Sequence, residues 1–150
     1  MKNFGKYLIK FTCVTAVLCL TACGQTHSEK IDWPKLPDAV YEVEHPKNRQ
    51  AAERAYKREG AIGPYQIRSI CARDINRIMK TNHEHEDFKS YTLSRWAFLS
   101  YTKHYGRAYE KRTGLKATAE VYARMWNGGP RGYEKTATEK YWKKVKKSYD

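Results

Sequence analysis

The apolar positions of this chain fall into three regimes. Behind Lys2, Lys6 and Lys10 they run without interruption from Phe11 to Leu20; from Gly24 to Pro37 they show no period; beyond Asp38 they return in helical registers. The clearest register starts after Gln66, where Ile67, Ile70, Cys71, Ile75 and Ile78 recur at three- and four-residue spacing, so an amphipathic helix is expected to about Met79. Asp38 can cap a short helix over 39–45 that Pro46 ends, because proline disfavours a helical residue before it. A charged helical turn is expected over 50–57, and a long helix over 93–112, carrying Trp96, Leu99, Tyr105 and Tyr109, that Gly114 stops. Thr118 caps a helix to Trp126, and Thr136 or Thr138 opens a last one to Tyr149. The stretches 60–64, 81–89 and 127–132 read as loops. Neither an alternating strand pattern of useful length nor an internal repeat is visible. The expected fold is all-α, with five or six helices.

The first regime has a different purpose. A basic start, an apolar run about half the roughly 20 residues of a membrane span, and small residues at Thr21 and Ala22 make residues 1–22 an export signal. Leu20-Thr21-Ala22-Cys23 resembles the lipobox of bacterial lipoproteins, which implies cleavage before Cys23 and attachment of lipid to its thiol. The organisation expected is a signal peptide at 1–22, a lipidated tether at 23–37 and one domain at 38–150. Its place would be the cell envelope, lipid-anchored to a bacterial membrane and facing the periplasm or exterior, on the outer membrane if the host is Gram-negative.

Processing changes the cysteine and charge accounts. Cys13 and Cys19 leave with the signal and Cys23 carries lipid, so Cys71 is alone and no intramolecular disulfide framework is possible. At its helical register it reads as a small core residue. Loss of Lys2, Lys6 and Lys10, with no acid among them, lowers the formal net charge from +13 to +10. A domain so cationic suits an anionic polymer, and export argues against nucleic acid. Tyrosines and tryptophans, 12 and 4 in number, supply a core despite low hydropathy and suit stacking on sugar rings.

Two segments are costly for a helix and so invite a functional reading: Glu59-Gly60-Ala61-Ile62-Gly63-Pro64-Tyr65-Gln66-Ile67 and Ala123-Arg124-Met125-Trp126-Asn127-Gly128-Gly129-Pro130-Arg131-Gly132-Tyr133. On spacing alone each reads better as a turn between helices. Gly-Ala-Ile-Gly-Pro-Tyr-Gln-Ile resembles the Gly-x-x-Gly-x-x-Gln-Ile stretch of the lysozyme-like, lytic transglycosylase superfamily, and Trp-Asn-Gly-Gly-Pro resembles its Tyr-Asn-Ala-Gly-Pro stretch, in the same order. The tail, with Tyr141-Trp142-Lys143-Lys144-Val145, is similar to small bacterial and phage-type members. The resemblance spans about residues 38–147.

That resemblance implies a lysozyme-like helical domain that cleaves the β-1,4 bond between N-acetylmuramic acid and N-acetylglucosamine in peptidoglycan. Its catalytic acid is a Glu at the end of a short helix, usually followed by Ser; here Glu44 matches, with His45 in place of the serine and Glu42 as the alternative register. Glu44 would act as general acid, with Tyr65, Gln66, Trp126, Asn127 and Tyr133 contacting substrate. A hydrolase needs a second carboxylate, for which Glu53, Glu59 and Asp74 are candidates, whereas a lytic transglycosylase works with one Glu and leaves a 1,6-anhydro product. The alternative is a catalytically inactive lysozyme-like lipoprotein that binds wall glycan or a partner. Neither reading requires a cofactor or metal, and His83-Glu84-His85-Glu86-Asp87 reads as a solvated loop. The partners expected are peptidoglycan strands and, through the lipid on Cys23, a membrane, but no nucleic acid; the protein is expected to be a monomer. Lys140, Lys143, Lys144, Lys146 and Lys147 give the last helix a basic face, suited also to anionic wall or lipid headgroups.

Overall fold

A computed structural model describes residues 30–150; the signal at 1–22 and Cys23 lie outside the described residues. Among the described residues, six α-helices make the fold: α1 Lys35–Glu44, α2 Arg49–Glu59, α3 Ser69–Met79, α4 Tyr91–Thr113, α5 Ala119–Gly128 and α6 Glu139–Tyr149. Short 3-10 turns lie at His85–Lys89, Gly132–Glu134 and Thr136–Thr138. None of the described helices is long and apolar enough to cross a membrane.

The long α4 is the axis of the core. Its buried residues are Ser94, Ala97, Phe98, Tyr101, Thr102 and Gly106, a stripe at helical spacing in which two hydroxyls are spent inside the helix. Ser94 Oγ donates to the Tyr91 carbonyl at 3.1 Å and Thr102 Oγ1 to that of Phe98 at 2.6 Å, so neither is a buried orphan. The expected face of Trp96, Leu99, Tyr105 and Tyr109 packs at the margin of the core instead. α3 and α5 lie against α4, and α6 packs against α1 and α5 through Tyr141, Val145 and Tyr149.

α1 starts earlier than the sequence reading placed it. Asp32 Oδ1 accepts from the Lys35 amide at 3.0 Å and the Asp32 carbonyl from the Leu36 amide at 2.9 Å, so the helix is already wound at Pro37. Proline is tolerated there because first-turn amides have no intrahelical acceptor. The residues just before it are folded too: Trp33 meets the Tyr122 ring edge-on with centroids 4.8 Å apart, and the Asp32 amide donates to the Tyr149 hydroxyl at 3.1 Å. The stretch 31–37, expected as tether, therefore belongs to the folded body.

Elsewhere the local signals act as their chemistry dictates. Thr118 accepts from the Val121 amide at 3.3 Å at the start of α5, and Gly114 ends α4 in the left-handed region with φ +72°. The His83–Asp87 side chains hold their own loop. His85 Nε2 lies 2.8 Å from the Ile67 carbonyl, Glu84 and Asp87 form a reciprocal cap, and Glu86 pairs with Lys89.

Candidate active site

Two helices end in glutamate on the same cavity. Glu44 is the last residue of α1 and Glu59 the last of α2, and both line an open cleft of about 800 Å³. A helix C-terminus carries partial negative charge, so it is an unfavourable place for the ionised Glu44 carboxylate. α1 stops at Glu44 because His45 is extended before Pro46. α2 stops at Glu59 because Gly60 turns left-handed, with φ +61°.

Burial is the main influence on Glu44. It pushes the carboxyl up from 4.5 to about 7. The Tyr141 hydroxyl, which faces the carboxyl, opposes the rise; the negative charge of Glu59 adds to it; Arg68 and Lys144 oppose it. Tyr141 is itself deep in the core, and its buried hydroxyl makes no well-formed hydrogen bond with any described group. Burial beside that carboxyl holds the Tyr141 proton firmly. Glu42, the other register, is exposed and lies 3.9 Å from Lys47, away from the cleft. His45 does not take the role of a serine at the cleft; its ring stacks on Tyr41 with centroids 4.7 Å apart.

The first glycine-rich segment forms a tight hairpin beside Glu44. Ile62 and Ile67 exchange both backbone hydrogen bonds, at 3.0 and 2.8 Å, and enclose Gly63-Pro64-Tyr65-Gln66. Gly63 has φ +69°, and a Cβ there would lie 2.1 Å from the Phe88 carbonyl oxygen, so only glycine fits. Gln66 also has positive φ, at 52°, an uncommon conformation for a residue with a side chain. Its amide Nε2 donates back to the Gly63 carbonyl at 2.9 Å, which fixes the side chain at the cleft wall. A strained backbone held by its neighbours at a cleft is a signature of functional geometry.

The second glycine-rich segment closes the opposite wall. Trp126, Asn127, Gly128, Gly129 and Pro130 line the cleft. Trp126 is held edge-on by Phe98 and Tyr101, at centroid distances of 5.2 and 5.7 Å. The turn that follows is pinned from α5: Arg124 Nη2 donates to the Lys135 carbonyl at 3.1 Å and Arg124 Nε to Thr138 Oγ1 at 3.0 Å. A Cβ at Gly132 would sit 1.9 Å from the Arg124 carbonyl oxygen, so the close approach of turn and helix depends on that glycine.

The expected contact residues are thus divided. Glu44, Gln66, Trp126 and Asn127, distant in sequence, share one cleft. Tyr65 and Tyr133 do not line it. Tyr65 is fully buried beneath, its hydroxyl donating to the Pro37 carbonyl at 3.2 Å, and Tyr133 packs edge-on against Tyr109 with the Arg112 guanidinium over its ring. Among the candidate second carboxylates, Glu53 is exposed and bound to Arg49 at 2.9 Å, outside the cleft. Asp74 lines the cleft but is held by Arg77 and by the Tyr105 hydroxyl at 2.5 Å. Only Glu59 of the three acts on Glu44 electrostatically. Cys71 lines the cleft rather than lying wholly in the core, and burial pushes its thiol up to about 12, so it is not a thiolate nucleophile near neutral pH. Sequence reasoning missed Tyr141 as a site residue. Its signal was an aromatic at helical spacing, which says core and nothing of what the hydroxyl faces.

No family model matches the chain. It is similar over short stretches to lysozymes of two oysters: 51% identical over 43 residues to a lysozyme of Magallana gigas and 44% identical over 41 residues to lysozyme 1 of Crassostrea virginica. These stretches are 26% and 27% of this chain, and the chain spans 31% and 22% of the two relatives. The similarity is partial. It supports a relationship to lysozymes in general, and with the all-α architecture it is consistent with a lysozyme-like domain.

Proposed function

We propose that the protein is a lysozyme-like glycosidase that cleaves the β-1,4 bond between N-acetylmuramic acid and N-acetylglucosamine of peptidoglycan, with Glu44 as general acid. The observation that carries this reading is the Glu44 carboxyl, set at a helix end in an open cleft with its pKa raised to about 7. Such an acid keeps a proton near neutral pH and can give it to the glycosidic oxygen as the bond breaks. Partial similarity to lysozymes supports the reaction class. Trp126 offers a ring for the apolar face of a sugar, while Gln66 and Asn127 offer amide groups for its hydroxyls.

Glu59 favours the hydrolytic course over the single-acid one. A pair of carboxyl groups flanking the scissile bond is the usual apparatus of glycoside hydrolysis. Glu59 lies on the same cleft, its charge acts on Glu44, and its carboxylate accepts from Arg58 Nε at 2.7 Å. In this course Glu44 protonates the leaving oxygen and Glu59 serves the anomeric side, as base toward water or as nucleophile. The envelope location, lipid on Cys23 and monomeric state remain part of the proposal.

Mass spectrometry of the fragments released from purified sacculi tests it. Reducing muropeptides are expected; 1,6-anhydro products would replace the two-carboxylate course by the transglycosylase one. Absence of any fragment, with strong retention of protein on sacculi, would favour a glycan-binding protein that does not cleave.

A further inference from the structure

The cleft carries more positive charge than a neutral sugar chain can use. Arg58, Arg68, Arg73, Arg77 and Lys144 all line it. Two are spoken for: Arg58 holds Glu59 at 2.7 Å, and Arg77 holds Asp74 at 2.5 Å. The side chains of Arg68 and Arg73, on either side of the first turn of α3, and of Lys144, on α6, make no ion pair or hydrogen bond with a described residue, and all three residues are exposed.

Two of these free cations work against the acid. Arg68 and Lys144 both favour the ionised form of Glu44, which cannot donate a proton. A cleft shaped for neutral glycan alone would function better without them. Their field is useful only if something negative enters with the substrate, because a bound anion cancels it and lets the Glu44 proton be held more tightly. Resting on the glycosidase reading above, we propose that Arg68, Arg73 and Lys144 are a carboxylate-recognising rim through which the cleft selects glycan strands bearing anionic substituents over neutral strands.

Recognition and proton supply are then linked. The groups that face Glu44 are Tyr141, Glu59, Arg68 and Lys144; carboxylates seated on the two cations leave Tyr141 as the one neighbour still favouring ionisation. Substrate carrying carboxylates would thereby raise the fraction of Glu44 that is protonated. Neutral substrate would not.

The test compares wall glycan strands that carry their peptide carboxylates with the same strands after carbodiimide capping as ethanolamides. Equilibrium binding to the full chain bearing Glu44→Gln is measured at low salt, and cleavage of both strands by the chain with Glu44 intact is measured in parallel. Exposed charge contacts of this kind are each worth about two- to fivefold. The uncapped strand is therefore expected to bind about tenfold or more tightly than the capped one. Replacing Arg68, Arg73 and Lys144 together by Gln is expected to bring that ratio close to one. Replacing Lys80, Lys111 and Lys147, which do not line the cleft, lowers net charge equally and is expected to leave the ratio standing. Equal binding of the two strands overturns the rim, as does a ratio that falls as much in the control triple as in the rim triple. Selective binding lost only in the rim triple, without any cleavage by the intact chain, keeps the rim and rejects the glycosidase.

Discussion

α1 and α2 end in the same residue at the same cleft and are otherwise opposites. α1 buries Leu36, Pro37, Ala39 and Val40 and delivers Glu44, half-buried, to the cleft wall. α2 buries nothing and delivers Glu59 with 44% of its side chain exposed and Arg58 beside it. Side-chain type and helix position therefore do not decide how deeply a carboxyl is set; the burial of the helix that carries it does. Burial withholds solvation from the charged form at Glu44 and pushes its carboxyl up to about 7.

The contrast can be broken first at the helices themselves. Leu36→Ala removes a fully buried side chain from α1 and is expected to cost about 2 to 5 kcal/mol by denaturant unfolding. Tyr56→Ala on α2, where the ring is 56% exposed, is expected to change stability by no more than about 0.5 kcal/mol. Equal costs would mean that the two helices do not differ as described.

Glu44→Gln tests the acid through stability. A carboxyl whose pKa is raised on folding binds its proton more tightly in the native state, so it costs nothing below its unfolded value near 4.5 and an increasing amount as pH rises toward 7. The Gln variant escapes this penalty. It is expected to match wild type near pH 4 and to exceed it above pH 7 by on the order of 2 to 3 kcal/mol. A difference that is constant with pH would show that Glu44 titrates normally.

Two smaller changes sharpen the comparison through the pH profile of cleavage. Glu59→Gln is expected to slow cleavage about 10²-fold if Glu59 serves the anomeric side. Because Glu59 raises the Glu44 pKa, its removal also moves the high-pH limb of the remaining activity to lower pH. Arg68→Gln, which removes a cation favouring ionised Glu44, is expected to move that limb to higher pH, assayed on a soluble neutral oligosaccharide. Shifts in the same direction for both variants would contradict the electrostatics.

The helical fold was legible because its signals are local. The Thr118 cap and the Gly114 stop are written in neighbouring residues, and the structure uses both; of the α3 register, Cys71, Ile75 and Ile78 meet the core, while Ile67 belongs to the hairpin before the helix and Ile70 is 63% exposed. Misreadings came where position depends on distant packing. Pro34 and Pro37 looked like tether because proline breaks helix interiors, yet Asp32 starts a helix around them. The buried stripe of α4 includes Ser94 and Thr102, whose hydroxyls satisfy themselves on their own helix and so hide the pattern. At the cleft, the two glycine-rich segments and Glu44 were readable as ordered motifs, and they line one cavity. Which aromatics face it was not readable: Tyr65 and Trp126 are similar on paper, but the hairpin turns Tyr65 down to Pro37 while Trp126 stands at the wall. The Glu59 and Tyr141 surroundings of Glu44 arise only when α6 packs on α1 and the ends of α1 and α2 come to one cleft.

The most direct test of the account is the rate of fragment release from sacculi across pH 4 to 9 for the protein with and without Glu44→Gln. The account predicts activity that falls through a midpoint near pH 7 as Glu44 loses its proton, and a Gln variant slower by about 10²- to 10⁴-fold throughout the active range. A Gln variant that releases fragments as fast as the intact protein would contradict it.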